Sequence, residues 1–218
     1  MLFARHGEME GDPFVLPPPG VRGCLSPQGV EQAARLGRAL ASEPIDRAFA
    51  SPMGRALQTA EIALAGRDVT IQLVPGLHEW MPDRNLENLP ATDHESIVRA
   101  SDGLPAEQTW KTPMGEGCFD MYARIVPGFV GALNGIGIAM RHGGYVPAPG
   151  CENLTLAVFA HGGSLAVLLS FLLGLRPFPV GGFQFDLCGL AEIRFVERVG
   201  VYYPALRIPT PPEPEARP

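Results

Sequence analysis

Apolar residues recur along this chain with two different periods, and the switches between them set the order of elements. Leu2-Phe3-Ala4 is a short apolar stretch running into Arg5-His6-Gly7, a strand that ends in a loop. Val30, Ala33, Ala34, Leu36, Gly37 and Leu40 then recur at helical spacing. Ser26 offers an N-cap for that helix and Pro27 fills its first position, where a missing N–H costs nothing. Arg47 to Ala50 is a second short strand. Ser51-Pro52 repeats the capping device at the head of a helix predicted to run to about Ala65. Val69 to Val74 alternates and carries β-branched residues, which predicts a third strand.

Residues 82–117 have no clear period and carry Pro, Gly, Asp and Asn. They predict an insertion with a helical piece at Ala91 to Ala100, and a long irregular segment in a small domain is often a lid. Phe119 to Met140 predicts a long helix despite Pro127. Leu154 to Ala160 is almost wholly apolar, as a central strand covered on both faces should be. Gly163 to Leu173 is the helix after it. Phe183 to Leu187 and Leu190 to Val196 predict a hairpin, and Tyr202 to Ile208 an added edge strand. Residues 209–218 are rich in Pro and Glu and read as a disordered tail. Strands alternating with helices make the fold class α/β: a mainly parallel sheet flanked by helices on both faces. The expected organisation is one domain over residues 1–208, with the insertion as its lid.

Composition narrows the function classes. The 218 residues are 46% hydrophobic and 18% charged, a globular balance. A formal net charge of -6 argues against nucleic acid as a partner, although a few local Arg and His residues can still form a positive pocket. The longest apolar run, Leu165 to Leu175, is broken by Ser170 and Gly174 and is too short to span a membrane. Cys24, Cys118, Cys151 and Cys188 form no C-x-x-C pair and read as reduced thiols of a cytoplasmic protein. The oligomeric state is left open, with a dimer among the possibilities.

Candidate chemistry collects at the strand ends. Arg5-His6-Gly7-Glu8, Ser51 to Arg55, Glu79 and His161-Gly162 each follow a predicted strand, and open α/β sheets place ligands at the carboxyl ends of their strands. Arg5 offers a planar fork of donors that matches phosphoryl oxygens. An imidazole such as His6 can attack phosphorus and hold the group covalently. Gly7 lets the backbone approach a ligand closely. Arg55 falls in the first turn of its helix, where the helix dipole disfavours a cation unless an anion is shared there. His161 is aimed at the sheet edge by the most apolar strand, and Gly162 and Gly163 admit a ligand to the next helix. Taken singly, Arg5-His6 reads as an ordinary surface pair, Arg55 as a solvated fork and Glu79 as a loop carboxylate.

Taken together, the blocks resemble the histidine phosphatase superfamily, in its phosphoglycerate mutase-like branch. The matching residues are Arg5-His6-Gly7-Glu8, then Leu25-Ser26-Pro27-Gln28-Gly29-Val30-Glu31-Gln32-Ala33. Ser51, Pro52, Arg55, Gln58, Thr59 and Ala60 follow, then Leu77-His78-Glu79 and His161-Gly162-Gly163. The resemblance implies that His6 is the nucleophile and Glu79 the proton donor. It implies that Arg5, Arg55 and His161 bind the phosphoryl oxygens, with Gly7 and Gly162 beside them. A sister branch places its acid as an Asp directly after the second His, where this chain has Gly162. Neither cofactor nor metal is expected, because His6, His78, His94, His142 and His161 lack ligand spacing. Arg141-His142-Gly143 repeats the R-H-G letters at the predicted end of the long helix and reads as a basic last turn with a glycine stop.

The leading expectation is a phosphatase acting on a small phosphorylated metabolite. The alternatives are a phosphoglycerate mutase and a catalytically silent binding module on the same fold. Met9-Glu10-Gly11-Asp12 stand where the family commonly has Thr or Ser and then Asn, which weakens the mutase reading. So does the acidic balance of the insertion, in which Arg84, Arg99 and Lys111 are outnumbered by carboxylates. Specificity is expected in His78, Trp80, Met81, Trp110 and Met114, a partly apolar wall.

Overall fold

The computed structural model of the chain describes residues 1–11, 25–81, 115–175 and 182–205. Strand β1 (Leu2–Arg5) leads to helix α1 (Pro27–Ala39), strand β2 (Arg47–Ala50), helix α2 (Gly54–Ala63) and strand β3 (Ile71–Leu73). A 3₁₀ turn, Pro75–Leu77, follows. Helix α3 (Cys118–Gly135) precedes strands β4 (Ile138–Arg141), β5 (Gly144–Pro147) and β6 (Leu156–Ala160). Helix α4 (Gly162–Leu172) and strands β7 (Leu190–Glu192), β8 (Arg194–Arg198) and β9 (Val201–Ala205) complete the order.

The central sheet runs β3-β2-β6-β1-β7. Its first four strands are parallel and β7 closes one edge antiparallel. Alternate residues of each central strand face opposite layers, as the period of two requires. Leu2, Ala4, Ala48, Ala50, Ala157 and Phe159 pack with Leu36 of α1, with Leu40 just past its end, and with Ala60 and Ala63 of α2. Phe3, Phe49, Leu156 and Val158 pack with Ile125 and Phe129 of α3 and with Leu165 and Leu168 of α4. The expected helices on both faces are present, and β6 is buried along its whole length. Among the described residues no helix is long and apolar enough to cross a membrane. Cys118, Cys151 and Cys188 are free thiols.

The structure corrects the expectations in four places. The long helix stops at Gly135 instead of continuing to Met140, because Gly137 takes φ +83° and turns the chain. Ile138 to Arg141 then becomes a strand paired with β5. Arg141-His142-Gly143 is therefore a hairpin turn and not a helix end: His142 and Gly143 have φ +55° and +73°, the positive pair that tight hairpins favour. Val199 and Gly200, at φ +53° and +75°, make the same device between β8 and β9. These strands form a second sheet, β4-β5-β9-β8, which the sequence reading did not separate from the first. Third, Phe183 to Leu187 forms no strand. Fourth, Ser51 is not the N-cap of α2: the helix begins at Gly54 behind Met53, whose N–H donates to the Ser51 hydroxyl at 3.3 Å, and Ser51 has another task described below. By contrast, Ser26 caps α1 as expected, its hydroxyl accepting from the Gly29 N–H at 3.0 Å. The expected helical piece at 91–100, most of the insertion and the tail lie outside the described residues.

Candidate active site

The parallel register puts three strand ends side by side. Arg5 pairs with Ala160, and Ala50 with Phe159. The His6 N–H donates to the Ala160 carbonyl at 3.0 Å and the Ser51 N–H to the Phe159 carbonyl at 2.9 Å. Ser51, His161 and His6 thus follow one another across the sheet edge, after β2, β6 and β1.

The loop after β1 is held from both flanking helices. The Gly7 N–H donates to Thr59 Oγ1 at 3.0 Å, and the Glu8 N–H to Gln32 Oε1 at 2.8 Å. The Ser26 hydroxyl donates to Glu8 Oε1 at 2.7 Å, and the Leu25 N–H to Gln58 Oε1 at 2.9 Å. A Cβ on Gly7 would stand 2.7 Å from the Gly29 carbonyl oxygen, and one on Gly29 only 2.0 Å from that of Glu8. Ser26 and Gln32 of the second sequence block and Gln58 and Thr59 of the third thereby fix the backbone that carries His6.

The His6 ring has one readable tautomer. The Gly7 carbonyl can only accept, so Nδ1 carries the hydrogen and donates to it at 2.7 Å. Nε2 is left with its lone pair and accepts from Arg55 Nε at 3.2 Å. The same N–H lies 3.2 Å from Nδ1 of His161. With Nδ1 accepting, His161 donates from Nε2 to the Ser51 hydroxyl at 2.8 Å. The two imidazole centroids are 5.0 Å apart. Arg55 is only 4% exposed, and its carbonyl accepts from the Thr59 hydroxyl at 2.7 Å.

Burial pushes the His6 imidazole down to about 3; the Gly7 carbonyl opposes this, and Arg55 and Arg5 add to it. Burial, then the neighbouring His6 and Arg55, hold His161 well below the ordinary imidazole range. Both rings are therefore neutral at physiological pH. An unfolded chain would protonate both as pH falls below about 6.5, whereas the native His6 resists until about 3. In that window the unfolded state binds more protons, so stability rises with pH. The thermal midpoint is expected to fall as pH is lowered from 7 toward 4, less steeply in His6→Ala. Equal slopes for the two proteins would remove His6 as a source of the effect.

Glu79 lies past the 3₁₀ turn instead of directly at the end of β3. Its Oε1 accepts from the Trp80 N–H at 2.8 Å and its Oε2 from the Gly163 N–H at 3.0 Å, in the first turn of α4. A Cβ on Gly163 would come within 2.6 Å of Oε1, so any side chain there would push the Glu79 carboxylate from this position. Arg5 donates from Nη1 to the Phe185 carbonyl at 2.6 Å. Its Nε is buried, makes no hydrogen bond among the described residues and faces Gly162. The turn at 186–189 grips the same segment: the Cys188 N–H donates to the His6 carbonyl and the Arg5 N–H to that of Gly189. Arg5, Glu79, Gly162, Gly163 and Phe185 line an open cleft of about 470 Å³.

Of the residues expected from sequence, Arg5, Glu79 and Gly162 line this cleft, His6, Arg55 and His161 contact one another at the strand ends beside it, and Gly7 lies in the loop that carries His6. Of the expected apolar wall, Trp80 instead donates its ring N–H to the Glu116 carbonyl at 2.6 Å. Trp110 and Met114 lie outside the described residues. Sequence reasoning missed the partnership of Ser51 with His161, whose only sign was a serine directly after a buried strand. It also missed the turn at 186–189, whose contacts with Arg5 and His6 are made by backbone atoms. Chemically, the strand ends and the cleft beside them bring together two neutral imidazoles, two guanidinium groups and one carboxylate, a set suited to moving a phosphoryl group.

The sequence model of the histidine phosphatase superfamily (branch 1) matches residues 1–202. The adenosylcobalamin/alpha-ribazole phosphatase of Salmonella typhimurium is 27% identical over 214 residues, covering 94% of this chain and 98% of the relative. Among the solved structures that share the fold are two phosphatases. One is a putative alpha-ribazole-5'-P phosphatase from Escherichia coli, with TM-score 0.65, 22% identity and coverage of 95% and 94% of the two chains. The other is a mycobacterial glucosyl-3-phosphoglycerate phosphatase in complex with VO3, with TM-score 0.71, 18% identity and coverage of 95% and 97%. With the match spanning the described site from Arg5 to His161, the chain belongs to the histidine phosphatase superfamily, branch 1.

Proposed function

We propose that this histidine phosphatase hydrolyses a small phosphomonoester through a phosphoryl group held on His6. The observation that carries the reading is the His6 tautomer, which leaves the Nε2 lone pair beside a buried guanidinium. In the first step Nε2 attacks phosphorus and the bond to the ester oxygen breaks. Glu79 gives that oxygen its proton, so the alcohol leaves neutral. Arg5, Arg55 and His161 stabilise the charge on the phosphoryl oxygens, and fixed charges in a dry site are worth far more than in water. With Nδ1 accepting from Arg55 and Nε2 donating to Ser51, His161 acts on the phosphoryl oxygens by holding that guanidinium in place. In the second step water attacks phosphorus, Glu79 takes the proton from that water, and the P–N electron pair returns to His6. Inorganic phosphate leaves, and both residues regain their starting states.

The relatives named above act on alpha-ribazole and glucosyl-3-phosphoglycerate phosphoesters by their names, so the substrate panel should contain both, together with phosphoglycerates. Phosphate release is expected to exceed transfer between phosphoglycerates by a wide margin. The reverse outcome would replace the phosphatase with a mutase, and silence on every phosphoester would leave a binding module.

The role of Glu79 has its own test in kcat/KM, which covers binding and phosphoryl transfer to His6 but not the later hydrolysis. Glu79→Gln is expected to lose about 10²- to 10⁴-fold on glycerol phosphate, whose leaving oxygen needs a proton. It should lose much less on p-nitrophenyl phosphate, whose leaving group departs as a stable anion. Equal losses would remove Glu79 as the acid.

A further inference from the structure

Behind the cleft stands an ion pair that the mechanism above does not use. Arg124, on α3, commits all five of its N–H donors. Its Nη1 donates to the Gly76 carbonyl at 2.7 Å and to that of His78 at 2.9 Å. Its Nη2 donates to the Glu79 carbonyl at 2.9 Å and to Glu116 Oε2 at 2.7 Å, while Nε donates to Glu116 Oε1. Glu116 in turn accepts from the Met81 N–H at 2.9 Å, and its carbonyl accepts from the Trp80 ring. The Trp80 main-chain N–H is one of the two donors that orient the Glu79 carboxylate. The pair therefore holds the backbone of Glu79 directly and its carboxylate through one intermediate residue.

The approach is built for this contact. A Cβ on Gly76 would stand 2.6 Å from the Arg124 carbonyl oxygen, so glycine lets the turn lie directly on α3. The two charged side chains are only 18% and 17% exposed. At that depth an ion pair contributes little net stability over apolar packing, because desolvating the charges offsets their attraction. What a planar fork supplies that apolar packing does not is direction: three carbonyls of one short segment are fixed at once.

We infer that Arg124, oriented by Glu116, is the positioning residue for the acid Glu79; the inference rests on the phosphatase mechanism proposed above. Arg124 touches neither substrate nor the reacting atoms, so its loss should reach the chemistry only through the acid. The expected mark is a change in leaving-group dependence and not a uniform loss.

The test compares kcat/KM on glycerol phosphate and p-nitrophenyl phosphate for Arg124→Met, Arg124→Lys, Glu116→Gln and Glu79→Gln, and for Arg124→Met combined with Glu79→Gln. Arg124→Met is expected to lose on the order of 10²-fold on the alkyl ester, since small misplacements of a reacting group have effects of that size. The loss on p-nitrophenyl phosphate should be far smaller. Arg124→Lys keeps the charge without the fork and should fall between wild type and Arg124→Met. The double variant should match Glu79→Gln alone, because a misplaced acid and an absent one fail in the same step. Equal losses on the two substrates, or full additivity in the double variant, would overturn the inference while leaving the acid role of Glu79 intact. Should Arg124→Met fail to fold, Arg124→Lys and Glu116→Gln read the same ratio, and an unchanged ratio in both has the same force. If Glu79→Gln itself loses equally on both substrates, the proposed mechanism fails and the inference falls with it.

Discussion

His6→Ala is expected to lower kcat by about 10⁴- to 10⁶-fold, the range seen when a covalent nucleophile is removed from a site that otherwise stays assembled. The size follows from what the residue alone supplies. The ring is locked by the Gly7 carbonyl, turns an unprotonated Nε2 toward Arg55 and is kept neutral by burial down to about pH 3. His161, the imidazole beside it, is fully buried, and its Nε2 hydrogen is engaged with Ser51. The fold should survive, because the loop backbone is fixed by Thr59, Gln32 and Gly29 and not by the imidazole. Substrate affinity should also survive in large part, since Arg5 and Arg55 remain. A steady-state assay on p-nitrophenyl phosphate, with circular dichroism to check the fold, measures both. A folded His6→Ala protein with turnover near that of wild type would place the nucleophile elsewhere.

Arg55 carries the second large effect. Its Nε points at both imidazoles, and it is 4% exposed, so its charge acts with little screening by water. Loss of one preorganised donor to a developing anion is worth about 10²- to 10³-fold. Arg55→Met should reach at least that, because a guanidinium can bond two phosphoryl oxygens together. Arg55→Lys is the sharper experiment. It keeps a positive charge but loses the planar fork, and it should recover little of the activity. Inhibition by inorganic phosphate should weaken in both variants alongside kcat/KM. Near-wild-type activity in Arg55→Lys would mean that the charge alone suffices and that the fork geometry is incidental.

Most of the site was legible in the sequence because its residues follow strands whose apolar runs announce them. Leu156 to Ala160 could only be a central strand, and His161 then had to stand at the sheet edge. Arg55 and His6, by contrast, each read as surface residues when taken singly, and their roles came from the resemblance that the sequence blocks carry together. What escaped was set by contacts distant in sequence. Ser51 reads as a helix cap from its neighbours, yet it stands beside a histidine 110 residues away. Arg124 reads as one more polar position on an amphipathic helix, and nothing local shows that three carbonyls of the Glu79 segment end on it. The helix expected to reach Met140 failed for a local reason: Asn134-Gly135-Ile136-Gly137 ends it, and the apolar residues beyond satisfy a strand as well as a helix. The second sheet was blurred because its strands are short and two of its turns place a non-glycine residue, His142 and Val199, at positive φ.

The central claim is that the phosphoryl group passes through His6, and one measurement reaches it directly. The wild-type protein is mixed with a phosphomonoester, quenched in base within its first turnover, digested and mapped by mass spectrometry for a phosphoryl group. A phosphohistidine is stable in base and lost in acid, which separates it from a serine or threonine ester. The account predicts the adduct on His6, formed within the first turnover and absent from His6→Ala. An adduct on another residue, such as His142, or steady turnover in His6→Ala with no adduct at position 6, would contradict it.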